Sequence, residues 1–449
     1  VANTQSAIIA RSGKKQKDSV IHYSDEKPNR DGFVVAWPPQ RYWQTQKAPS
    51  SVNTAPLHLY FHIPFCLQRC RYCFFKIGIL SENSHEVRER YVSALCKEIE
   101  QVAEDHNLQG RKISSIYFGG GTPSVLSPKQ LEKVKDTIDK FFTVESPEFV
   151  FEIEPVTLNN RLIDSLPDLG VNRISFGIQS FDDRVVALTG RHDTEEKNCR
   201  AIERALKAGI VVNVDLLSGL EGETFSSWQH SVNRAIDLGV NAITVYKLEL
   251  YSNANYMEDA KKGNLSLPTN EQELEFARWA LNKLNENNYL PSTYFTFTRE
   301  GNYPQHHIIS RWRGEDMYGF GASAFGSING YSRQNISDID EYLNTVEQGK
   351  NPNQRIVKMN TSDYMLRDLV MGLKTTVVDL DKYQQNHGID LKIILQKDIQ
   401  TLLNSELIEI KDNFLKLTRE GILYGDYCGR YLGAALRNIF SGESRPIRA

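Results

Sequence analysis

Three cysteines, Cys66, Cys70 and Cys73, close the stretch Tyr60-Phe-His-Ile-Pro-Phe-Cys-Leu-Gln-Arg-Cys-Arg-Tyr-Cys. Thiolates at this spacing can ligate three irons of a cubane cluster and leave the fourth iron open to a chemical ligand. The same residues also suit a zinc site completed by His58, His62 or His85. At i, i+4 and i+7 they would equally share one face of a buried helix. Pro64 and the charges that follow argue instead for a loop.

Other polar residues recur where apolar runs end. Gly119-Gly-Gly-Thr-Pro follows one run, Glu152 and Glu154 close another, and Gln179, Asp215 and Glu249 end three more. A glycine triplet lets a ligand approach bare backbone, and Thr122 adds a hydroxyl. Together these groups suit a zwitterionic nucleoside such as S-adenosylmethionine (SAM). Its amino group wants carbonyls or Glu152, its ribose Asp215 or Gln179, and its carboxylate Arg191.

The elements that must position these groups are βα units. Short β-prone runs at Leu57–Ile63, Ile113–Phe118, Phe149–Ile153, Arg173–Ile178, Val211–Leu216 and Ala242–Leu248 alternate with stretches of helical period. That pattern predicts a parallel α/β sheet, a partial (β/α)6 TIM-like barrel whose chemistry gathers at the carboxyl ends of the strands. Ser127-Pro128 marks one helix start and Gly209 one helix end. The chain divides into a polar N-terminal extension (1–55), the barrel (56–300), a glycine-containing connecting segment that lines the site (301–360) and a C-terminal α+β, winged-helix-like domain (361–449).

Composition narrows the function classes. The chain has 449 residues, a net charge of −3 and six cysteines. Such a length buries about three quarters of its surface and needs no disulfides. Balanced charge gives no field for nucleic acid, and 379–418 holds seven acidic residues against five lysines and no arginine. No apolar run approaches the roughly 20 residues of a spanning helix, and residues 1–30 read as a polar, mobile leader without a signal core. The expectation is a cytoplasmic protein without nucleic-acid or membrane partners.

From about Leu57 to Leu417 the sequence resembles the radical SAM superfamily, and within it the oxygen-independent coproporphyrinogen III oxidase-like group. CxxxCxxC, Gly119-Gly-Gly-Thr-Pro, Arg173-Ile-Ser-Phe-Gly-Ile-Gln-Ser-Phe and Asp215-Leu-Leu-Ser-Gly-Leu carry the resemblance. It implies a [4Fe-4S] cluster on Cys66, Cys70 and Cys73 and two SAM molecules. Tyr60, Gly120, Glu152 and Phe325 would contact the cluster-bound molecule; Tyr72, Gly121, Thr122, Gln179, Arg191 and Asp215 would contact the second. An electron donor such as flavodoxin or ferredoxin is implied as partner.

Departures from the group pattern set the functional expectation. The oxidases proper carry a further cysteine where this chain has Phe75, and related haem chaperones carry His-Asn-x-x-Tyr-Trp where it has His307-Ile-Ile-Ser-Arg-Trp. His306 and His307 read as exposed loop residues, and Arg311 and Arg313 as surface arginines that in a porphyrin enzyme would hold propionates. The segment Gly321-Ala-Ser-Ala-Phe-Gly-Ser-Ile-Asn-Gly-Tyr-Ser-Arg-Gln-Asn is similar to a stretch of the class C radical methyltransferases. The expected function is a C-methyltransferase or cyclopropanating variant acting on an unsaturated sp² carbon of a small molecule, releasing 5′-deoxyadenosine, methionine and S-adenosylhomocysteine. The alternatives are a coproporphyrinogen oxidase-like porphyrin enzyme and a haem-binding chaperone.

Overall fold

The computed structural model describes residues 28, 30, 32, 34, 36–44, 55–81 and 84–440. Most of the polar leader, residues 1–27, therefore lies outside the described residues. The six expected strands are present: β1 Leu57–Ile63, β2 Lys112–Gly120, β3 Thr143–Ile153, β4 Arg173–Gln179, β5 Val211–Ser218 and β6 Ala242–Lys247. They pair in sequence order and in parallel, and each crossover passes through helix. Buried residues line both faces: Leu57, Leu59, Phe61 and Ile63 of β1 are enclosed on one and His58 and His62 on the other, as a parallel strand covered on both sides requires.

The helices start where short polar side chains accept orphan amides. Ser127 caps the helix Pro128–Phe141 in a capping box with Gln130, and Thr194 caps Glu195–Lys207, which Gly209 terminates at φ +73. The helix Asn270–Glu286 also begins with a capping box, between Thr269 and Gln272.

The glycine-containing segment departs from the expectation of a connector. Beyond β7 Tyr289–Pro291 and β8 Thr296–Arg299, it forms β9 Met317–Phe320, β10 Phe325–Ile328 and β11 Tyr331–Asn335, followed by β12 Asn353–Lys358. Among the described residues the resulting sheet has 12 strands, in the order β12-β11-β10-β9-β1-β2-β3-β4-β5-β6-β8-β7. Strand β9 adds to β1 in parallel, while β8 meets β6 antiparallel, so the barrel stays open. Glycine is needed here for close approach: a Cβ on Gly319 would sit 2.1 Å from the carbonyl oxygen of Phe325.

The C-terminal part consists of the helix Thr361–Val370, a three-stranded sheet built from Val377–Asp379, Ile408–Lys411 and Phe414–Leu417, and a last helix, Gly425–Ile439. Asp412 and Asn413, both at positive φ, turn the hairpin. Its core is continuous with that of the barrel. No helix among the described residues is long and apolar enough to cross a membrane.

Candidate functional site

Strand β1 ends at Ile63, and the chain then loops out through the cysteines. Phe65–Cys66 pairs with Gly78–Ile79, which ties the loop off, and the Cys73 amide donates to the Cys70 carbonyl within it. All three cysteines are half-buried, free of disulfide and face one cavity of about 1130 Å3. The same cavity is lined by Tyr60, Tyr72, Gly120, Gly121, Thr122, Glu152, Gln179, Arg191, Asp215 and Phe325. Every residue singled out from the sequence as a cofactor or cluster contact thus meets one space.

The sulfurs are surrounded by donors. Thr122 Oγ1 donates to Cys66 Sγ at 3.4 Å, and Arg191 Nη1 to Cys70 Sγ at 3.8 Å. Burial pushes the Cys66 thiol up to about 12 and the Cys73 thiol to about 11, so the bare loop holds protonated sulfur. Metal binding displaces those protons, and donors aimed at sulfur suit the resulting thiolates. Three cysteines on one mobile-length loop with such donors fit an iron-sulfur cluster.

Two of the three candidate fourth ligands for zinc are badly placed, and only His62 keeps a buried, unpartnered Nε2. Both ring nitrogens of His58 are engaged, by Ser115 and Glu315, and His85 sits exposed in a helix first turn beside Glu89. His62 uses Nδ1 on the Tyr60 hydroxyl at 2.9 Å. Among the described residues no three His, Cys, Asp or Glu side chains converge on one ion. A cubane takes one thiolate per iron and needs no such convergence.

Gly119, Gly120 and Gly121 differ from the expected bare cradle. Their missing Cβ atoms would strike the protein itself: Glu152 at 2.9 Å, the His62 ring at 2.6 Å and the Phe65 carbonyl at 2.6 Å respectively. The amides of Gly120, Gly121 and Thr122 donate to Glu152, Ile63 and Phe65. The loop therefore spends these three backbone N–H groups on the protein rather than on a ligand.

Glu152 accepts from the Tyr117 hydroxyl at 2.6 Å and from the Gly120 amide at 3.0 Å. Burial, with Asp215 nearby, still raises it to about 7. Asp215 accepts from Ser175 and Asn213, and burial raises it to about 6. Two carboxyls that resist ionisation favour an incoming cation or hydroxyl donor. Gln179 ends β4 in the left-handed region, φ +68, just past a register shift that skips Ile178 and sets Gln179 opposite Leu216.

Arg191 is less free than its expected carboxylate role demands. It donates through Nε to Asp193 at 2.7 Å and through Nη2 to the Gly177 carbonyl at 2.9 Å, with Glu154 at 3.5 Å. Phe325 meets Trp43 edge-on, with ring centroids 5.9 Å apart.

Several lining residues were read from the sequence as surface groups or were not singled out at all. His307 is buried on a short helix, His306–Trp312, and Arg311 reaches the cavity from the next turn; only His306 and Arg313 are exposed, as expected. Leu423 to Tyr427 line the cavity from the C-terminal part, and Arg30, Val34 and Gln40 from the N-terminal segment. Tyr294, Lys374 and Asp426 bond one another where these parts meet. No local pattern marks such residues, since their proximity arises from contacts hundreds of positions apart.

Comparison with known proteins places this geometry. Residues 60–235 match the Radical SAM superfamily and residues 360–424 the HemN C-terminal domain. The chain is 30% identical over 381 residues to the heme chaperone HemW of Bacillus subtilis, covering 83% of this chain and 98% of that protein. It is 26% identical over 391 residues to the oxygen-independent coproporphyrinogen III oxidase of Helicobacter pylori, covering 82% and 84%. Among solved structures, the coproporphyrinogen III oxidase HemN of Escherichia coli superposes with a TM-score of 0.77 at 21% identity, over 89% of this chain and 96% of that one. These relatives overturn the methyltransferase expectation. The Gly321–Asn335 stretch that suggested it belongs to the β9 to β11 edge of the sheet, where the glycines answer to strand packing.

Proposed function

This chain belongs to the radical SAM superfamily, in its HemN- and HemW-like branch, and on that premise we propose that it binds a carboxylate-bearing tetrapyrrole, haem foremost. One observation carries the reading: the cavity runs without a break from the cysteine loop to His307, Arg311 and the C-terminal residues Leu423–Tyr427. At about 1130 Å3 it exceeds the ~300–1,000 Å3 that one small ligand usually occupies. It therefore has room for a second, larger molecule beside the cofactor.

Its walls suit a flat macrocycle. Tyr117, Tyr246, Phe295 and Trp312 supply aromatic faces, and Arg311 supplies a permanent cation for a propionate. The cluster on Cys66, Cys70 and Cys73 supplies, when bound, the electron that cleaves SAM, drawn from a donor such as flavodoxin or ferredoxin. Tyr60, Gly120, Glu152 and Phe325 would hold the cluster-bound SAM. Tyr72, Gly121, Thr122, Gln179, Arg191 and Asp215 lie on the same wall and would take a second molecule.

Titration of the anaerobically reconstituted protein with haem tests the proposal. Saturable binding with a shifted Soret band, weakened at least tenfold by Arg311→Ala, is the expected result. Saturable SAM binding without any haem-dependent spectral change would overturn it.

A further inference from the structure

A chain of hydrogen bonds enters the barrel from its amino-terminal end and reaches the cavity. Glu315 Oε2 lies 3.0 Å from His58 Nε2, His58 Nδ1 lies 2.7 Å from Ser115 Oγ, and Ser115 Oγ lies 2.6 Å from His307 Nδ1. Its outer end is open to water and its interior is not. The Glu315 side chain is 49% exposed, whereas His58, Ser115 and His307 are 3%, 0% and 2% exposed.

Strand pairing builds the chain. His58 is the second residue of β1, and a register shift after Leu57 sets it beside Ser115 of β2. Without that shift it would face Ser114, whose side chain points to the other face. Glu315 lies two residues before β9 on the other flank of β1, and His307 reaches down from its short helix.

The order of donors follows from one end. A carboxylate only accepts, so a neutral His58 presents Nε2–H to Glu315 and keeps a lone pair at Nδ1. Ser115 then gives its single hydroxyl proton to His58 and accepts from His307 Nδ1–H. His307 is left with its lone pair on Nε2, the nitrogen that remains for the cavity it lines. The His58 contact holds the Glu315 carboxyl below the ordinary glutamate range, with Ser310 and Arg313 adding to the effect.

The surroundings of the His307 ring favour its neutral form. Burial, with His58 and Arg311 close by, pushes it well below the ordinary imidazole value. Tyr117 lies beside the ring at 5.0 Å, and Glu148 accepts from the His307 backbone amide while pairing with Arg173.

We propose that Glu315, His58 and Ser115 are positioning residues that fix the tautomer of His307, so that the cavity is offered a lone pair and selects a ligand group that donates an N–H or O–H. This holds whatever ligand the cavity takes and is independent of the tetrapyrrole reading. A surface carboxylate thereby decides the hydrogen-bonding sign of a buried wall.

Long-range proton-nitrogen correlation on protein carrying nitrogen-15 histidine, with its cluster oxidised, reads the tautomer directly. Absence of one signal in His307→Gln assigns it. The wild type is expected to show His307 protonated at Nδ1. Glu315→Lys presents only donors, reverses every bond and is expected to move the His307 proton fully to Nε2. In Ser115→Ala the link is cut, and adding Glu315→Lys to it is expected to change nothing at His307. A wild-type ring protonated at Nε2, or an unchanged His307 in a Glu315→Lys protein whose circular dichroism and melting temperature match the wild type, would overturn the proposal. Because position 315 is half-exposed, the lysine variant tests the chain without disturbing the core.

Discussion

The hydroxyl of Thr122 donates to the sulfur of Cys66 while also reaching Glu154 Oε2 at 3.3 Å. A residue of the β2 loop thus touches the first cluster cysteine and the end of β3 at once. Hydrogen bonds to a ligating sulfur stabilise its reduced, more negative state. Thr122→Val should therefore shift the cluster potential negative, as measured by a potentiometric titration followed by electron paramagnetic resonance, while iron content stays unchanged.

Cys70→Ala removes one of three ligands and should abolish the cluster. Iron and sulfide analysis after reconstitution should show its loss, and formation of 5′-deoxyadenosine from SAM should fall to background. Retained cleavage would mean that the cluster sits elsewhere.

Glu152 gives a pH signature. Its carboxyl is raised to about 7 in the folded protein, whereas the unfolded chain titrates near the ordinary 4.3 or so. The folded state binds the proton more tightly, so this group's stabilisation is complete below about pH 4.5 and lost as pH rises through 7. Glu152→Gln should match the wild type at pH 4.5 and exceed it at pH 8 by on the order of 2 kcal/mol, a value softened by cavity water. Chemical denaturation of the ligand-free protein at the two pH values checks this.

Lys374 is almost fully enclosed and bonds both Tyr294 and Asp426, which joins the C-terminal part to the barrel. Lys374→Met leaves the Asp426 carboxylate without its cation in a largely dry place. The expected cost is about 3 kcal/mol, visible in denaturant melts. Tyr294→Phe in the same background should recover little, since the charge remains uncompensated.

Much of this site was legible because strand ends, caps and cysteine spacing are local. Glu152, Gln179 and Asp215 each close an apolar run, and a parallel barrel carries such ends to one mouth. Strand β9 was not legible, because Met317–Phe320 is short and lies among glycines whose role is close packing. His307 was misplaced for a related reason: a seven-residue helix gives too little period to separate a buried face from an exposed loop. Functional identity went astray where a short glycine- and serine-containing stretch was read as a specificity signature, although strand packing explains its composition.

The inward-turned amides of Gly120, Gly121 and Thr122 have a consequence for how adenosine compounds are told apart. Glycine loops that grip phosphates do so with outward N–H groups. Here those three N–H groups are spent on Glu152, Ile63 and Phe65, so the loop holds no such grip. A triphosphate tail would find no amide grip in this loop, whereas a sulfonium nucleoside carrying an ammonium group needs none.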